Sequence, residues 1–139
     1  MIQKIVCIFL VTALFSCDRR ELVNECFPEV NVFSILNTRL PVYQDLNFDG
    51  GTTNIYNIQG RNIAIIRNSS SNIIAFDLEC PERICDQPLD VTNPPRIICV
   101  CNNKEYNYLQ GGRLVGEEGC GLLMYTATLI NNGSIQISN

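Results

Sequence analysis

Cysteine is the residue type in this chain with the most obvious capacity for chemistry. Beyond the N-terminal segment the cysteines are Cys26, Cys80, Cys85, Cys99, Cys101 and Cys120. Four of the six form two boxes, Cys80 with Cys85 and Cys99 with Cys101. Such boxes hold metals, disulfides or redox-active thiols, because the thiolate is both a nucleophile and a metal ligand. Six cysteines allow three disulfides with fifteen connectivities, and spacing alone does not choose among them.

Two of these chemistries need spacings that the boxes do not show. CxxxxC followed by CxC supplies four thiolates for a zinc site or an all-cysteine iron–sulfur cluster, but zinc ribbons favour CxxC knuckles. A thiol oxidoreductase needs an activated thiol, typically in a CxxC that opens a helix, and no such motif occurs. Disulfides are therefore favoured, while the metal and oxidoreductase alternatives stay open.

The first residues indicate export. Lys4 precedes an apolar run from Ile5 to Phe15, which is too short for a stable membrane span and typical of a secretory signal. The end of the run, Leu-Phe-Ser-Cys17, is similar to a bacterial lipobox, which predicts cleavage before Cys17 and lipidation of that residue. We therefore predict a signal peptide over 1–16, a tether over 17–25 and one domain over 26–139. The predicted location is the bacterial cell envelope, lipid-anchored to the outer membrane, where an oxidising environment favours disulfides.

Charge and composition exclude several functions. Without residues 1–16 the chain has nine basic and fourteen acidic side chains, and it has no basic cluster. Nucleic-acid binding needs clustered Lys and Arg, so no nucleic-acid partner is expected. The chain has no histidine, which removes catalytic triads and imidazole acid–base chemistry. We predict that the protein is not an enzyme.

Short segments rich in Ile, Val and Tyr, separated by Gly, Asn, Ser and Pro, predict an all-β fold. They are residues 30–36, 54–58, 62–68, 72–78, 96–101, 124–130 and 134–138. Residues 68–72 predict one hairpin turn, and Asn132-Gly133 predicts a second of type I′. Alternation in the second hairpin puts on one face Tyr125, Ala127, Leu129, Ile135 and Ile137.

From Ile63 to Ile137 the chain resembles a Rieske iron–sulfur domain. The resemblance rests on a hydrophobic lead-in, the boxes "CPERIC" and "CVCNNK", a glycine turn and a closing hairpin in the expected order. Residues 26–46 further resemble small envelope lipoproteins of the Bacteroidota that carry this domain. The resemblance implies an antiparallel β-sandwich or barrel with a two-loop cysteine subdomain at about 78–108.

The ligands of the iron–sulfur cluster do not carry over. Rieske boxes read Cys-x-His-x-x-Cys and Cys-x-Cys-His-Gly-Ser, with two thiolates on one iron and two imidazoles on the other. Cys80 and Cys99 fall on the thiolate positions, but Glu82 and Asn102 fall on the imidazole positions. A carboxylate and a neutral amide replace imidazole poorly as ligands of iron in such a cluster. We therefore predict that the cluster-ligand set is degenerate and that no metal or cofactor is bound.

The resemblance also implies a disulfide pattern. In family members with extra cysteines the last cysteine of the first box and the second of the other form a clamp between the loops, which here pairs Cys85 with Cys101. Cys80 and Cys99 would then face one another without iron and form a second bridge, and Cys26 and Cys120 would form a third. A competing arrangement pairs Cys120 with Cys80 or Cys99 and leaves Cys26 free.

The resulting prediction is a non-catalytic, membrane-anchored envelope lipoprotein with a Rieske-like fold. It would act as a structural or interaction module with an unknown envelope protein partner. The alternative is an electron-transfer protein that binds an iron–sulfur cluster or another metal through Cys80, Cys85, Cys99 and Cys101.

Overall fold

The computed structural model describes residues 26–28 and 30–139, so the predicted signal peptide, the tether and Cys17 lie outside the described residues. The described part contains ten β-strands in two antiparallel sheets. The strands are β1 (Phe33–Leu36), β2 (Thr53–Ile58), β3 (Arg61–Ser69), β4 (Asn72–Asp77), β5 (Asp90–Asn93), β6 (Arg96–Cys99), β7 (Lys104–Asn107), β8 (Arg113–Leu114), β9 (Met124–Leu129) and β10 (Ile135–Ser138). Within these described residues, three 3-10 helices cover Pro41–Asn47, Tyr108–Gln110 and Asn131–Gly133. Among the described residues no helix has the length and apolar character to cross a membrane.

The larger sheet has six strands in the order β1-β10-β9-β4-β3-β2. Its two edges are joined through a side chain of the β2–β3 turn, because Gln59 accepts a hydrogen bond from the Phe33 amide at 3.4 Å and donates one to the Phe33 carbonyl at 3.0 Å. Gln59 and Gly60 both have positive φ, 52° and 82°, as a two-residue type I′ hairpin turn requires. This contact holds the sheet in a curled form.

The two predicted hairpins are present, but one turn differs from the prediction. β9 and β10 pair with Ile135 opposite Leu129 and Ile137 opposite Ala127, as the alternation predicts. The connection is not a two-residue type I′ turn, because a 3-10 helix over Asn131–Gly133 lengthens it. The longer loop is held by the hydroxyl of Thr38, which donates to the Gly133 carbonyl at 2.7 Å.

The smaller sheet has the order β5-β6-β7-β8 and carries the second cysteine box at the end of β6. Only β6 was predicted here. β5 and β7 read "DVTN" and "KEYN", and β8 has two residues, so these strands are too short and too polar to give an apolar alternation.

Two hydrophobic cores lie on opposite faces of the larger sheet. Along β3 the side chains of Ile63 and Ile65 enter one core, whereas those of Ala64 and Ile66 enter the other, as the period of two in a strand requires. The second core fills the space between the two sheets and includes both Cys80 and Cys99. The predicted all-β fold class with a two-loop cysteine subdomain is thus confirmed, and the cysteine site is built on this inter-sheet core.

Candidate functional site

Three of the four box cysteines lie on two loops, and Cys99 ends β6 directly before the second loop. The first cysteine loop, residues 78–89, connects β4 to β5, and the second, residues 100–103, connects β6 to β7. The amide of Arg83 donates to the Cys80 carbonyl at 2.8 Å, and the amide of Asn103 donates to the Cys99 carbonyl at 2.8 Å. Arg83 and Asn103 have positive φ of 53° and 58°. Asn103 stands where the Rieske motif has glycine, and Asn is one of the few other residues that tolerate this region.

Three disulfides join the six cysteines of the described chain. They are Cys80–Cys99, Cys85–Cys101 and Cys26–Cys120, with Cα–Cα separations of 5.7, 5.7 and 5.8 Å. All three separations lie in the usual range for disulfides. These are the pairs that the resemblance implies, and the competing pairing of Cys120 with Cys80 or Cys99 does not occur.

The two disulfides that join the cysteine loops differ in exposure. Cys80 and Cys99 are both fully buried in the inter-sheet core. Cys101 is exposed and Cys85 is half-buried. The Cys80–Cys99 bridge therefore belongs to the core, whereas the Cys85–Cys101 bridge lies at the surface, at the tip of the two loops.

A polar network occupies the positions that carry the imidazole ligands in the family. The Asn102 amide nitrogen donates to one carboxylate oxygen of Glu82 at 3.0 Å, and the Lys104 ammonium pairs with the other. The Asn102 side-chain oxygen accepts from the Lys104 backbone amide at 3.0 Å. Asn102, Glu82 and Lys104 therefore bond to one another across the two loops, and we call this set the tip network.

The tip network stabilises the charged forms of its members. The hydrogen bond from Lys104, with its positive charge and the Asn102 amide, lowers the pKa of Glu82. The hydrogen bond to Glu82, aided by the charge of Glu117 at 3.5 Å, raises the pKa of Lys104. Both side chains therefore stay ionised around neutral pH, so the Lys104 amine is not a free nucleophile.

Tyr106 lies beneath the tip network with its side chain fully buried. Its hydroxyl is the one buried side-chain polar atom that lacks a hydrogen-bond partner within the described residues. Burial and the nearby charge of Glu82 raise the pKa of Tyr106, so the phenol is neutral at physiological pH. A buried hydroxyl of this kind is the expected place for an ordered water.

The first cysteine loop is anchored to the larger sheet by an ionic cluster that is centred on the buried Asp77 and extends to the surface. The Asp77 side chain, 3% exposed, pairs with Arg61 and accepts a 2.7 Å hydrogen bond from the Tyr125 hydroxyl. Its second oxygen accepts from the Glu79 backbone amide at 2.8 Å. Arg61 also bonds the Glu79 carboxylate at 2.6 Å, and Glu79 bonds Arg83 at 2.9 Å. We call these five residues the junction network.

Electrostatics in the junction network favour the ion pairs. Burial alone lowers the pKa of Arg61, but hydrogen bonds to Asp77 and Glu79 outweigh that effect and raise it. Burial likewise tends to raise the pKa of Glu79, yet hydrogen bonds from Arg61 and Arg83 lower it overall. Burial and the hydrogen bond to Asp77 both raise the pKa of Tyr125. The network therefore holds two arginines, two carboxylates and a neutral phenol.

The third disulfide fastens the first described residue, Cys26, to Cys120 in the loop before β9. This loop is packed closely against the turn before β8, because the Leu122 amide donates to the Gly112 carbonyl at 2.8 Å and a Cβ on Gly121 would lie 2.9 Å from the same oxygen. The loop also brings Glu117 to Lys104. The N-terminal end of the domain and the tip network are thus connected through one loop.

The residues present do not fit an iron–sulfur cluster of the Rieske type. The two thiolate positions, Cys80 and Cys99, are joined as a disulfide, so neither sulfur is a thiolate. Glu82 and Asn102 hydrogen-bond to each other, and neither supplies the nitrogen that the second iron requires. Within the described ranges no group of three or more Cys, Asp or Glu has a geometry that could hold a metal ion. A four-thiolate site would first require reduction of both bridges between the cysteine loops.

Several site residues could not be found from the sequence. Lys104 stands where the Rieske motif has serine, but its pair with Glu82 was not predicted, and the role of Tyr106 beneath it was missed. Asp77 and Arg61 were also missed, although an acidic residue ending a continuous apolar strand is a signal of a buried ion pair. Their partners come from distant segments, so no local pattern identifies the pairs.

The chain has similar proteins among solved structures. No family model matches the chain, and no curated protein matches it. A Mycobacterium tuberculosis protein assigned as the small subunit of an NADH-dependent nitrite reductase is 13% identical, with 80% of this chain and 97% of that chain covered and a TM-score of 0.47. An oxidoreductase protein assigned as an NADPH nitrite reductase small subunit is 12% identical, with 66% and 89% covered and a TM-score of 0.43. Similarity at this level carries no argument about what this chain does.

Proposed function

We propose that the protein is a non-catalytic envelope lipoprotein whose Rieske-like domain lacks an iron–sulfur cluster and acts as a structural or interaction module. One observation carries the proposal. The two loops that would grip a cluster are joined by the buried Cys80–Cys99 disulfide, and the remaining ligand positions are joined by the tip network. Crosslinks and a salt bridge stand where the family has a redox centre.

The envelope location is supported by the sequence and is consistent with the disulfides. The lipobox-like end of the apolar segment favours lipidation of Cys17, and several acyl chains give stable membrane attachment. Three disulfides in a domain of this size favour an oxidising compartment. Absence of a basic cluster and of histidine supports a protein partner rather than nucleic acid or a reaction.

The first experiment distinguishes this proposal from electron transfer. The full chain is purified anaerobically in detergent, and its visible spectrum, iron and acid-labile sulfide contents and free-thiol count in denaturant are measured. We expect a colourless protein with no bound iron and no titratable thiol among the six domain cysteines. A brown protein with iron, sulfide and thiols at Cys80 and Cys99 would instead establish the electron-transfer alternative.

A second experiment tests the anchor. Metabolic labelling with a palmitate analogue and membrane fractionation are compared for the wild-type chain and Cys17→Ser. The wild type should carry label and sediment with the outer membrane, whereas the variant should be unlabelled. A variant that still carries the label would contradict lipidation at Cys17.

A further inference from the structure

Of the three disulfides, the one at the tip of the cysteine loops contains the most exposed cysteine, Cys101. Attack on a disulfide requires a thiolate to reach one sulfur along the S–S axis, so access controls the rate. Cys101 is exposed, whereas Cys80 and Cys99 are fully buried. A thiol reagent therefore meets the Cys85–Cys101 bridge at the surface, whereas it meets the Cys80–Cys99 bridge only after the inter-sheet core opens. Both cysteines of the third bridge, Cys26–Cys120, are half-buried, so its accessibility lies between the two.

Exposed apolar side chains flank this bridge on both loops. Ile84 directly precedes Cys85 and is 60% exposed, and Val100 directly precedes Cys101 and is 41% exposed. Among the exposed apolar side chains of the described residues, these two each lie one position from a cysteine of the same exposed disulfide. Apolar contacts around a reactive sulfur give a protein thiol a surface on which to dock, and a small polar reductant gains nothing from them.

We propose that Cys85–Cys101 is a thiol-exchange site for a protein dithiol that docks on Ile84 and Val100. A partner thiolate attacks the sulfur of Cys101, the more exposed residue of the pair, the S–S bond breaks, and Cys85 leaves as a thiolate that takes up a proton. The second thiol of the partner then attacks the mixed disulfide. The partner dithiol is oxidised to a disulfide, and Cys85 and Cys101 are left as two thiols after transfer of two electrons and two protons.

The structural consequence is confined to the tip. The buried Cys80–Cys99 bridge still fastens the base of the two loops after exchange. Residues 81–88 lose their covalent clamp and keep the hydrogen bond between Asn102 and Glu82 as a link to the second loop. Exchange therefore releases the segment that carries Ile84 without unfolding the domain.

The test uses the full oxidised chain with two probes, dithiothreitol and reduced thioredoxin. Thiols are trapped by alkylation over time and located by mass spectrometry. We expect Cys85 and Cys101 to be alkylated about tenfold faster than Cys80 and Cys99 in the native protein, and at similar rates in denaturant. A monothiol form of thioredoxin should be captured as a mixed disulfide on Cys101.

Surface variants separate docking from simple exposure. Ile84→Asp and Val100→Asp should slow reduction by thioredoxin about fivefold and change reduction by dithiothreitol less than about twofold. The matched control is Phe48→Asp. Phe48 is 73% exposed and adjoins Asp49, which pairs with Arg67 at the end of β3 opposite Arg61, away from the cysteine loops. This control should leave both rates unchanged.

Two results would overturn the exchange site. One is reduction of Cys80–Cys99 as fast as Cys85–Cys101 in the native protein. The other is an equal loss of both rates in the Ile84 and Val100 variants. The exchange requires the disulfides but neither the lipid anchor nor an assembly partner. A colourless, iron-free protein that fails these tests would refute the exchange alone, whereas an iron-loaded protein would refute the proposed function.

Discussion

Replacement of Asp77 by Asn should strongly destabilise the domain, because the carboxylate is surrounded only by donors. One oxygen accepts from Arg61 and from the Tyr125 hydroxyl, and the other accepts from the Glu79 amide. An amide of the same shape substitutes a donor for one of the two acceptors, so at least one buried donor loses its partner. The charge that balances Arg61 is lost as well.

The magnitude follows from the burial of the pair. Removing one partner of a buried ion pair costs about 3–5 kcal/mol, and the Asp77 side chain is 3% exposed. Arg61 is 24% exposed and keeps Glu79 at 2.6 Å, which argues for the low end of that range, about 3 kcal/mol. With an m-value of about 3 kcal/mol/M, the guanidinium midpoint should fall by about 1 M.

Two matched variants define the controls. Asp49→Asn breaks the pair between Asp49, which is 52% exposed, and Arg67, and should cost less than about 1 kcal/mol. Tyr125→Phe removes a single donor from the Asp77 carboxylate and should cost about 1.5 kcal/mol. The double variant of Asp77 and Tyr125 should lose less than the sum of the single losses, since the two groups share one hydrogen bond.

Guanidinium unfolding of the oxidised proteins, followed by far-UV circular dichroism, measures all of these differences. A midpoint for Asp77→Asn equal to that of Asp49→Asn would refute the reasoning. Strict additivity in the double variant would show that the hydroxyl and the carboxylate do not act together.

Three further predictions concern pH and covalent structure. Two arginines lower the folded-state pKa of Glu79 below its unfolded value of about 4.3. The contribution of Glu79 to stability is therefore present above that pH and lost as pH falls through the folded pKa. Glu79→Gln should flatten the acid limb of the curve of guanidinium midpoint against pH. The folded-state pKa of Tyr125 is raised above its unfolded value of about 10. The contribution of Tyr125 to stability is therefore present below pH 10 and lost as pH rises through the folded pKa. In an ultraviolet titration, Tyr125→Phe should show one fewer late-ionising phenol than the wild type. Replacing Cys26 and Cys120 with Ala removes a bridge between residues 94 positions apart and should cost about 4.7 kcal/mol in the chain-entropy model. Replacing Cys85 and Cys101 with Ala, for a separation of 16, should cost about 3 kcal/mol. Equal guanidinium midpoints for the two double variants would contradict the dependence on loop length.

Local patterns were enough to predict the fold class. Each of the seven predicted segments overlaps a strand, because short runs rich in β-branched residues and bounded by turn residues are typical of strands. In the β9–β10 hairpin Tyr125, Ile135 and Ile137 lie in the core as predicted and Ala127 packs against it. Leu129 was predicted on the same face but is 37% exposed at the end of β9. The short polar strands β5, β7 and β8 were not predicted, because their stability comes from pairing with β6 and one another rather than from their own composition.

The sequence also determined what the site lacks. A chain without histidine has no imidazole ligand in any fold, so a standard Rieske ligand set was excluded before the structure was considered. Which cysteines pair was a different matter, because fifteen connectivities are compatible with the spacing and only the resemblance selected one of them.

Tertiary structure alone decided which contacts are made by the residues at the cluster-ligand positions. The contact of Glu82 with Asn102 and Lys104 joins residues about twenty positions apart, and the ion pair of Arg61 with Asp77 joins two strands. Burial also separates two otherwise similar disulfides, since one lies in the inter-sheet core and the other at the loop tip. The sequence determines the residue types. The solvent exposure of each residue and its bonding partners depend on which segments the two sheets bring together, so they are properties of the packed molecule.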